Sequence, residues 1–279
     1  MRGLKLHPLV IAMAGLAVAI PLLLILLRSL AHGMTYPAPR IPVGTPPEGF
    51  AEISLNPQQG VSCQGWFASG AGRDTRPVMI YFHGNGENLE TLRMSGWLDT
   101  LRDAGLPVLA VEYPGYGRCS GRASEETLLD AASRAVRWVA ANQRGRGWIA
   151  AGWSLGAAVA IQAAAQNPDQ VRGLIVLSGW SSLPEMASTH FPGWLMRLLL
   201  SERYDSVSAA RSVRCPVLVI HGLDDPIIPA SLGKKLASSF NDVRYIDLPA
   251  TGHNDLPSNE RVREELAAFV NRLNEPPRQ

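Results

Sequence analysis

The sequence has few charged residues and few cysteines, and neither sign of charge dominates. Charged residues make up 18% of the 279 residues, below the usual share of about 25%, which argues against a disordered chain. The 26 Lys and Arg residues nearly balance the 24 Asp and Glu residues. Because no basic stripe can form for a phosphate backbone, we expect no nucleic-acid partner. Cys63, Cys119 and Cys215 are too few and too scattered for a disulfide framework or a zinc site.

One long apolar run lies near the N-terminus. From Pro8 to Leu27 there are 20 residues without a charge, and a helix of this length spans about 30 Å, the thickness of the hydrocarbon core of a bilayer. Arg2 and Lys5 precede the run and Arg28 follows it. Its length favours a retained transmembrane helix that anchors the chain.

Two other kinds of segment could contain this run. A cleaved signal peptide would use Ser29-Leu30-Ala31 as its cleavage site, although its apolar part is usually shorter, and a core helix of a soluble domain fits the length least well. The anchor and the signal both export the rest of the chain, because the cations before the run keep the N-terminus in the cytoplasm. We expect a single-pass membrane protein with its folded domain outside the cytoplasm, in the periplasm if the source is bacterial, or a secreted protein after cleavage.

The chain divides into three parts on this basis. Residues 1–32 form the anchor or signal segment, and residues 33–50, which contain five prolines, are predicted to be an extended linker that spaces the folded part from the membrane. Residues 51–279 form one folded domain. Residues 180–213 interrupt its regular pattern and are predicted to be a short cap insertion.

The folded part alternates between short apolar runs and helical segments, which is typical of an α/β protein with a mostly parallel central sheet flanked by helices. Ser124 is a plausible N-cap for the clearest helical segment, because Glu125 and Glu126 suit a positive first turn. The predicted strands are Val78-Met79-Ile80-Tyr81-Phe82, Val108-Leu109-Ala110-Val111, Trp148-Ile149-Ala150-Ala151, Leu174-Ile175-Val176-Leu177 and Val217-Leu218-Val219-Ile220.

Ser154 is the candidate nucleophile. It lies in Gly152-Trp153-Ser154-Leu155-Gly156, between a predicted strand and an alanine-rich helical segment. A serine on such a tight turn projects its hydroxyl above the sheet, and the glycines are needed because the turn crowds the backbone. The backbone N–H of Leu155, at the start of the helix, would be the first donor to an oxyanion.

His253 is the candidate base among six histidines. A serine hydroxyl needs a base, which in turn needs an acid to orient it, and the order on this kind of fold is serine, acid, histidine. His253 follows Ser154 in the chain, lies in a loop beside Gly252 and precedes the last helical segment. The acid should come from the loop after the strand that ends at Ile220.

That loop contains two adjacent aspartates, and position alone does not choose between them. Asp224 and Asp225 both follow the strand, at the sheet edge where the serine is expected. Asp255 is a weaker candidate, because it follows His253 and is close to it in sequence. The second oxyanion donor is expected from the glycine-rich turn that begins at His83.

Together these motifs resemble the α/β-hydrolase superfamily, and more narrowly the membrane-anchored serine hydrolases related to the human abhydrolase-domain proteins. The resemblance implies the α/β-hydrolase fold, Asp225 as the acid, and the backbone N–H of Asn85 as the second oxyanion donor. Gly86 and Glu87 depart from the usual sequence of the oxyanion turn. The motifs are Tyr36-Pro37, His83-Gly84-Asn85, Tyr113-Pro114-Gly115-Tyr116-Gly117, Gly152-Trp153-Ser154-Leu155-Gly156, Pro216-Val217-Leu218, His221-Gly222 and Gly252-His253-Asn254.

The expected activity is hydrolysis of carboxylic esters or thioesters through a Ser154-Asp225-His253 triad and an acyl-enzyme, with no metal or organic cofactor. The apolar cap and the membrane segment favour lipid-like or small acyl ester substrates. A serine peptidase or amidase of the same fold and a non-catalytic binding module of this fold are the alternatives.

Overall fold

We describe the protein from a computed structural model, in which residues 7–55, 62–70 and 76–274 are described. The strands are β1 (Ala51–Ser54), β2 (Gln64–Ala68), β3 (Val78–Phe82), β4 (Val108–Val111), β5 (Trp148–Trp153), β6 (Val171–Leu177), β7 (Val217–Gly222) and β8 (Val243–Leu248). The helices are α1 (Pro8–Thr35), α2 (Leu89–Met94), α3 (Trp97–Asp103), α4 (Glu125–Asn142), α5 (Leu155–Gln166), α6 (Leu183–Ala187), α7 (Gly193–Leu199), α8 (Ser206–Ala210), α9 (Ala230–Ala237) and α10 (Glu260–Asn274), with a 3₁₀ turn at His253–Ser258.

The strands form one sheet in the order β1-β2-β4-β3-β5-β6-β7-β8. The strands from β4 to β8 in this order are parallel, whereas β1 and β2 extend the sheet as antiparallel strands. The predicted α/β class with a mostly parallel sheet is confirmed, and each of the five predicted strands lies within β3 to β7. The sequence patterns missed β1, β2 and β8. Strands β1 and β8 are edge strands whose mixture of exposed and covered residues breaks the apolar run expected of a buried strand.

Helices cover both faces of the sheet, so it separates two apolar cores. Alternate side chains of β3 enter different cores, because successive residues of a strand point to opposite faces. Val78, Ile80 and Phe82 belong to one core, and Met79 and Tyr81 belong to the other. Five residues in a row are therefore buried without any helical periodicity.

Helix α4 begins where the sequence predicts. The Ser124 side chain accepts a hydrogen bond from the backbone N–H of Thr127, and the Thr127 side chain accepts one from the Ser124 N–H. This reciprocal cap satisfies two backbone donors that the first turn leaves without partners. Glu125 and Glu126 occupy the first turn, and the apolar face of α4 is buried against the sheet.

Helix α1 contains the apolar run. Residues 15–35 have a mean hydropathy of 1.9, with none of the side chains in the most apolar window buried, and this is the one helix in the described part of the chain that is long and apolar enough to cross a membrane. A core helix of a soluble protein would have most of these side chains covered, so that alternative is wrong. A membrane anchor and a signal sequence both remain consistent with the helix.

The segment predicted to be an extended linker packs against the folded domain instead of standing off it. Tyr36, Val43 and Phe50 are buried, and the Tyr36 hydroxyl lies 2.9 Å from the hydroxyl of Tyr204. Residues 36–50 form neither helix nor strand, and these three apolar side chains attach them to the domain. The C-terminal end of α1 is therefore held directly against the fold.

Candidate active site

Ser154 lies on a sharp turn between β5 and α5. Its φ of 56° and ψ of −118° are values that a residue other than glycine rarely adopts. The flanking glycines make the turn possible, because a Cβ on Gly152 would overlap the Gly156 carbonyl, and a Cβ on Gly156 would overlap the Phe82 carbonyl. The sequence pattern predicted that the turn needs glycines because it crowds the backbone. This agrees with the geometry, since the turn passes close to the backbone of β3.

His253 and Asp225 are brought together from separate loops. The Nδ1–H of His253 donates to Oδ2 of Asp225 at 2.7 Å, and both side chains are buried. The His253 ring is stacked on Trp153, with 5.2 Å between ring centroids. Because Trp153 immediately precedes Ser154, this stacking holds the imidazole beside the serine turn, and Ser154 and His253 line the same cavity.

The structure separates the two aspartates that position alone left open. Asp225 is buried and Asp224 is exposed. The other carboxylate oxygen of Asp225, Oδ1, accepts hydrogen bonds from the backbone N–H groups of Ile227 (2.9 Å) and Ile228 (2.7 Å). Asp255 instead accepts a hydrogen bond from the Gly252 N–H, so its carboxylate stabilises the turn in which it lies.

The pKa of Asp225 is below its usual value. Burial acts to raise this pKa, but the hydrogen bond and charge of His253 and the two backbone N–H groups outweigh burial. A carboxylate that stays ionised beside the imidazole selects the tautomer with a proton on Nδ1, and this tautomer leaves Nε2 free to accept a proton.

His221 contacts the loop that contains Asp225, and it was not identified as functional from the sequence. Its Nε2–H donates to the Ile228 carbonyl at 2.8 Å, and the same nitrogen lies 3.6 Å from Oδ2 of Asp225. Burial lowers the pKa of His221, so the neutral ring adds no positive charge next to the acid. The signal in the sequence was its place at the strand end, four residues before Asp225.

The glycine-rich turn after β3 is held by contacts from three directions. The Tyr116 hydroxyl donates to the Asn85 carbonyl at 3.0 Å, and the Asn85 side-chain amide donates to the Thr35 carbonyl at 3.2 Å. Glu87 accepts a hydrogen bond from the Gly84 N–H at 2.7 Å. Burial raises the pKa of Glu87, although the charge of His83 and the hydrogen bond from the Gly84 N–H act in the opposite direction.

A buried pair beneath this turn was also missed. His83 Nε2 lies 2.9 Å from Oε1 of Glu112, and His83 Nδ1 lies 2.8 Å from the Gly84 carbonyl. Burial acts to lower the pKa of His83, but its acceptors, led by Glu112, outweigh burial and raise the pKa. Both ring nitrogens face oxygen acceptors, which is the pattern of a protonated imidazole. The Tyr113 hydroxyl adds a hydrogen bond to the His83 carbonyl at 2.9 Å.

An apolar cavity of about 500 Å³ lies over Ser154. Leu155 and Asn85, the two predicted oxyanion donors, line it together with Ser154 and His253. The N–H of Leu155 belongs to the first turn of α5, where backbone donors have no partner within the helix. Helices α6 and α7, which lie in the segment predicted to be a cap, contribute apolar side chains to the lining, and so does α1. Four of the five predicted site residues therefore line one cavity, and the fifth, Asp225, contacts it only through its hydrogen bond with His253. Their catalytic roles remain predictions.

The chain is similar to known hydrolases in sequence and in structure. A family model described as the alpha/beta hydrolase fold matches residues 77–203. An uncharacterized protein of Mycobacterium tuberculosis is 35% identical over 208 residues, which are 73% of this chain and 72% of that protein. The lysophosphatidylserine lipase ABHD12 of Gallus gallus is 26% identical over 213 residues, 68% of this chain and 55% of that protein.

The structural similarity extends over most of the chain. The esterase Pf2001 of Pyrococcus furiosus superposes with a TM-score of 0.67 at 17% sequence identity, over 84% of this chain and 98% of that one. At this level of identity the likeness shows the fold alone.

Proposed function

The chain belongs to the α/β-hydrolase superfamily and is related to the abhydrolase-domain proteins, and on this basis we propose that it is a serine esterase with Ser154 as its nucleophile. The observation that carries the proposal is that Ser154 and His253 line one cavity and that Asp225 accepts a hydrogen bond from His253. Packing alone does not explain this arrangement. It combines the strained turn at Ser154, the stacking of His253 beside it and the hydrogen bond between His253 and buried Asp225.

The proposed reaction is a two-step acyl transfer. His253 Nε2 takes the hydroxyl proton of Ser154 as its Oγ attacks the ester carbonyl carbon, and the N–H groups of Leu155 and Asn85 stabilise the oxyanion. The ester C–O bond breaks, and the leaving alcohol takes the proton from His253. Water then attacks the carbonyl carbon of the acyl-enzyme and gives a proton to His253. The bond between the acyl carbon and Oγ breaks, Oγ of Ser154 takes that proton back from His253, and the carboxylic acid leaves. Asp225 stabilises the imidazolium in both steps.

The substrate we propose is a lipid-like ester. An apolar cavity of about 500 Å³ suits an acyl chain better than a peptide. Glu87 is the one carboxylate among the described residues that line it, and its side chain is already bonded to the Gly84 N–H. The similarity to a lysophosphatidylserine lipase supports an ester of a single long acyl chain. Small acyl esters and thioesters would react at the same centre.

We also propose that α1 is a retained single-pass anchor and that the catalytic domain lies outside the cytoplasm. The apolar, exposed helix supports the anchor, and the cations before it support the orientation. A reporter fused after residue 279 should then show activity only outside the cytoplasm, and full activity of a cytoplasm-specific reporter would contradict this topology.

Labelling with a fluorophosphonate probe tests the nucleophile. The wild-type protein should be labelled on Ser154, and Ser154→Ala should lose both the label and at least about 10³-fold of p-nitrophenyl ester hydrolysis. Ser133→Ala is the matched control, because Ser133 lies on α4 and donates to the Leu129 carbonyl of the same helix. A folded wild-type protein that is neither labelled nor active would be a binding module instead, and the proposal would be wrong.

A further inference from the structure

The C-terminal part of α1 forms one wall of the active-site cavity. Leu27, Leu30, Ala31 and Met34 line the same cavity as Ser154. Their spacing of three, four and seven residues places them on one face of the helix. The helix that is apolar enough to enter a membrane therefore also presents a continuous apolar stripe to the site of chemistry.

Polar contacts hold this part of α1 in place. His32 Nε2 lies 2.9 Å from the Ala123 carbonyl, and the Thr35 carbonyl accepts from the Asn85 side chain at 3.2 Å. The guanidinium of Arg28 donates to a carbonyl of α7 at 3.2 and 3.3 Å. These contacts connect α1 to the predicted oxyanion turn and to the cap, so the wall has a defined position relative to Ser154.

The cavity is open beside α1. Leu30 and Met34 are 61% and 55% exposed although both line the cavity, which means that they lie at its mouth. The neighbouring cap exposes further apolar side chains, with Trp194 70% and Phe191 43% exposed. A mouth bordered by exposed apolar groups on both sides, next to a membrane helix, faces hydrocarbon more favourably than water.

We propose that α1 binds substrate in addition to anchoring the chain. The acyl chain of a membrane lipid ester enters from the bilayer between α1 and α7 and lies along the stripe from Leu27 to Met34, with its carbonyl at Ser154. This inference rests on the proposed function of Ser154. It also requires that α1 is retained, because cleavage after Ala31 would remove three of the four wall residues.

Substitution at the mouth tests the wall. Leu30→Trp and Met34→Trp should shorten the preferred acyl chain, measured as the ratio of kcat/KM for p-nitrophenyl palmitate to that for p-nitrophenyl butyrate with the full-length protein in detergent micelles. Each buried methylene contributes roughly fourfold in binding, from about 0.8 kcal/mol per CH₂. Displacing two or more methylenes should therefore lower the ratio by at least about tenfold.

Leu26→Trp is the matched control for this experiment. Leu26 is 64% exposed, close to the 61% of Leu30, lies one turn earlier on α1 and does not line the cavity. It should leave the ratio within about twofold of the wild type. An equal fall in the ratio for Leu26→Trp and Leu30→Trp, or no fall in either wall variant, would overturn the proposal.

A covalent probe reports the path of the chain directly. A fluorophosphonate with a long alkyl chain and a terminal diazirine should label Ser154 and, on illumination, cross-link to residues 27–34 of α1. Cross-links confined to α9 or α10 would contradict the wall, as would a mature protein whose N-terminus is residue 32. Absence of the Ser154 label would instead refute the proposed nucleophile, so the two failures are distinguishable.

Discussion

Replacing the proposed acid of the triad by its amide, Asp225→Asn, should nearly abolish activity, and the hydrogen bonds of Asp225 give the specific reason. Oδ1 of Asp225 accepts from two backbone N–H groups, those of Ile227 and Ile228, and the amide oxygen must keep this place to satisfy them. The amide NH₂ then replaces Oδ2 and faces Nδ1 of His253, which now has to accept a hydrogen bond instead of donating one. The proton moves to Nε2, and the base that Ser154 needs is lost.

The expected fall in kcat is about 10⁴-fold, the size that the equivalent change has in serine proteases for the same tautomeric reason. The assay is p-nitrophenyl butyrate hydrolysis near pH 8 by the full-length protein, with thermal unfolding measured in parallel. Asp224→Asn removes the neighbouring exposed carboxylate and should change kcat less than about twofold. A folded Asp225→Asn protein that keeps more than a tenth of the wild-type kcat would refute the reasoning.

Two further predictions concern the scaffold around the site. Gly156→Ala should prevent accumulation of folded protein, because its Cβ would overlap the Phe82 carbonyl of β3; a soluble variant with an unchanged Tm would contradict the close crossing. The raised pKa of His83 means that its protonated form stabilises the fold fully below about pH 6.5, and this contribution is lost as pH rises through the higher folded pKa. The free energy of unfolding, measured by urea titration, should therefore fall above about pH 6.5, and Glu112→Gln should flatten that slope.

A structural feature could be predicted from the sequence when it depends on residues that are close together in the chain. The turn at Ser154 is local, because strand, glycines and helix follow one another within a few residues, and the structure has this turn where the pattern predicts it. Strands β3 to β7 were predicted because both of their faces are covered, so each appears as an apolar run. Strands β1 and β8 lie at the sheet edges, where polar residues are tolerated and the run disappears.

The residues that support the site could not be predicted from the sequence, because their contacts join segments that are far apart in the chain. His83 and Glu112 are 29 positions apart in sequence and directly follow the neighbouring parallel strands β3 and β4. Their contact therefore depends on the register between these two strands. No periodicity in either segment marks them as partners. The order of Ser154, acid and His253 restricted the candidates, but two adjacent aspartates satisfy the same order.

The sequence by itself determined the α/β class, the apolar length of α1, and Ser154 and His253 as the candidate nucleophile and base, since each of these follows from composition or from neighbours along the chain. Only the tertiary structure decided that Asp225 and not Asp224 contacts His253, that residues 36–50 pack on the domain, and that Leu30 and Met34 lie at the mouth of the cavity. These are contacts between segments far apart in the chain. They are set by how strands and helices pack around a common core, which local sequence patterns do not record.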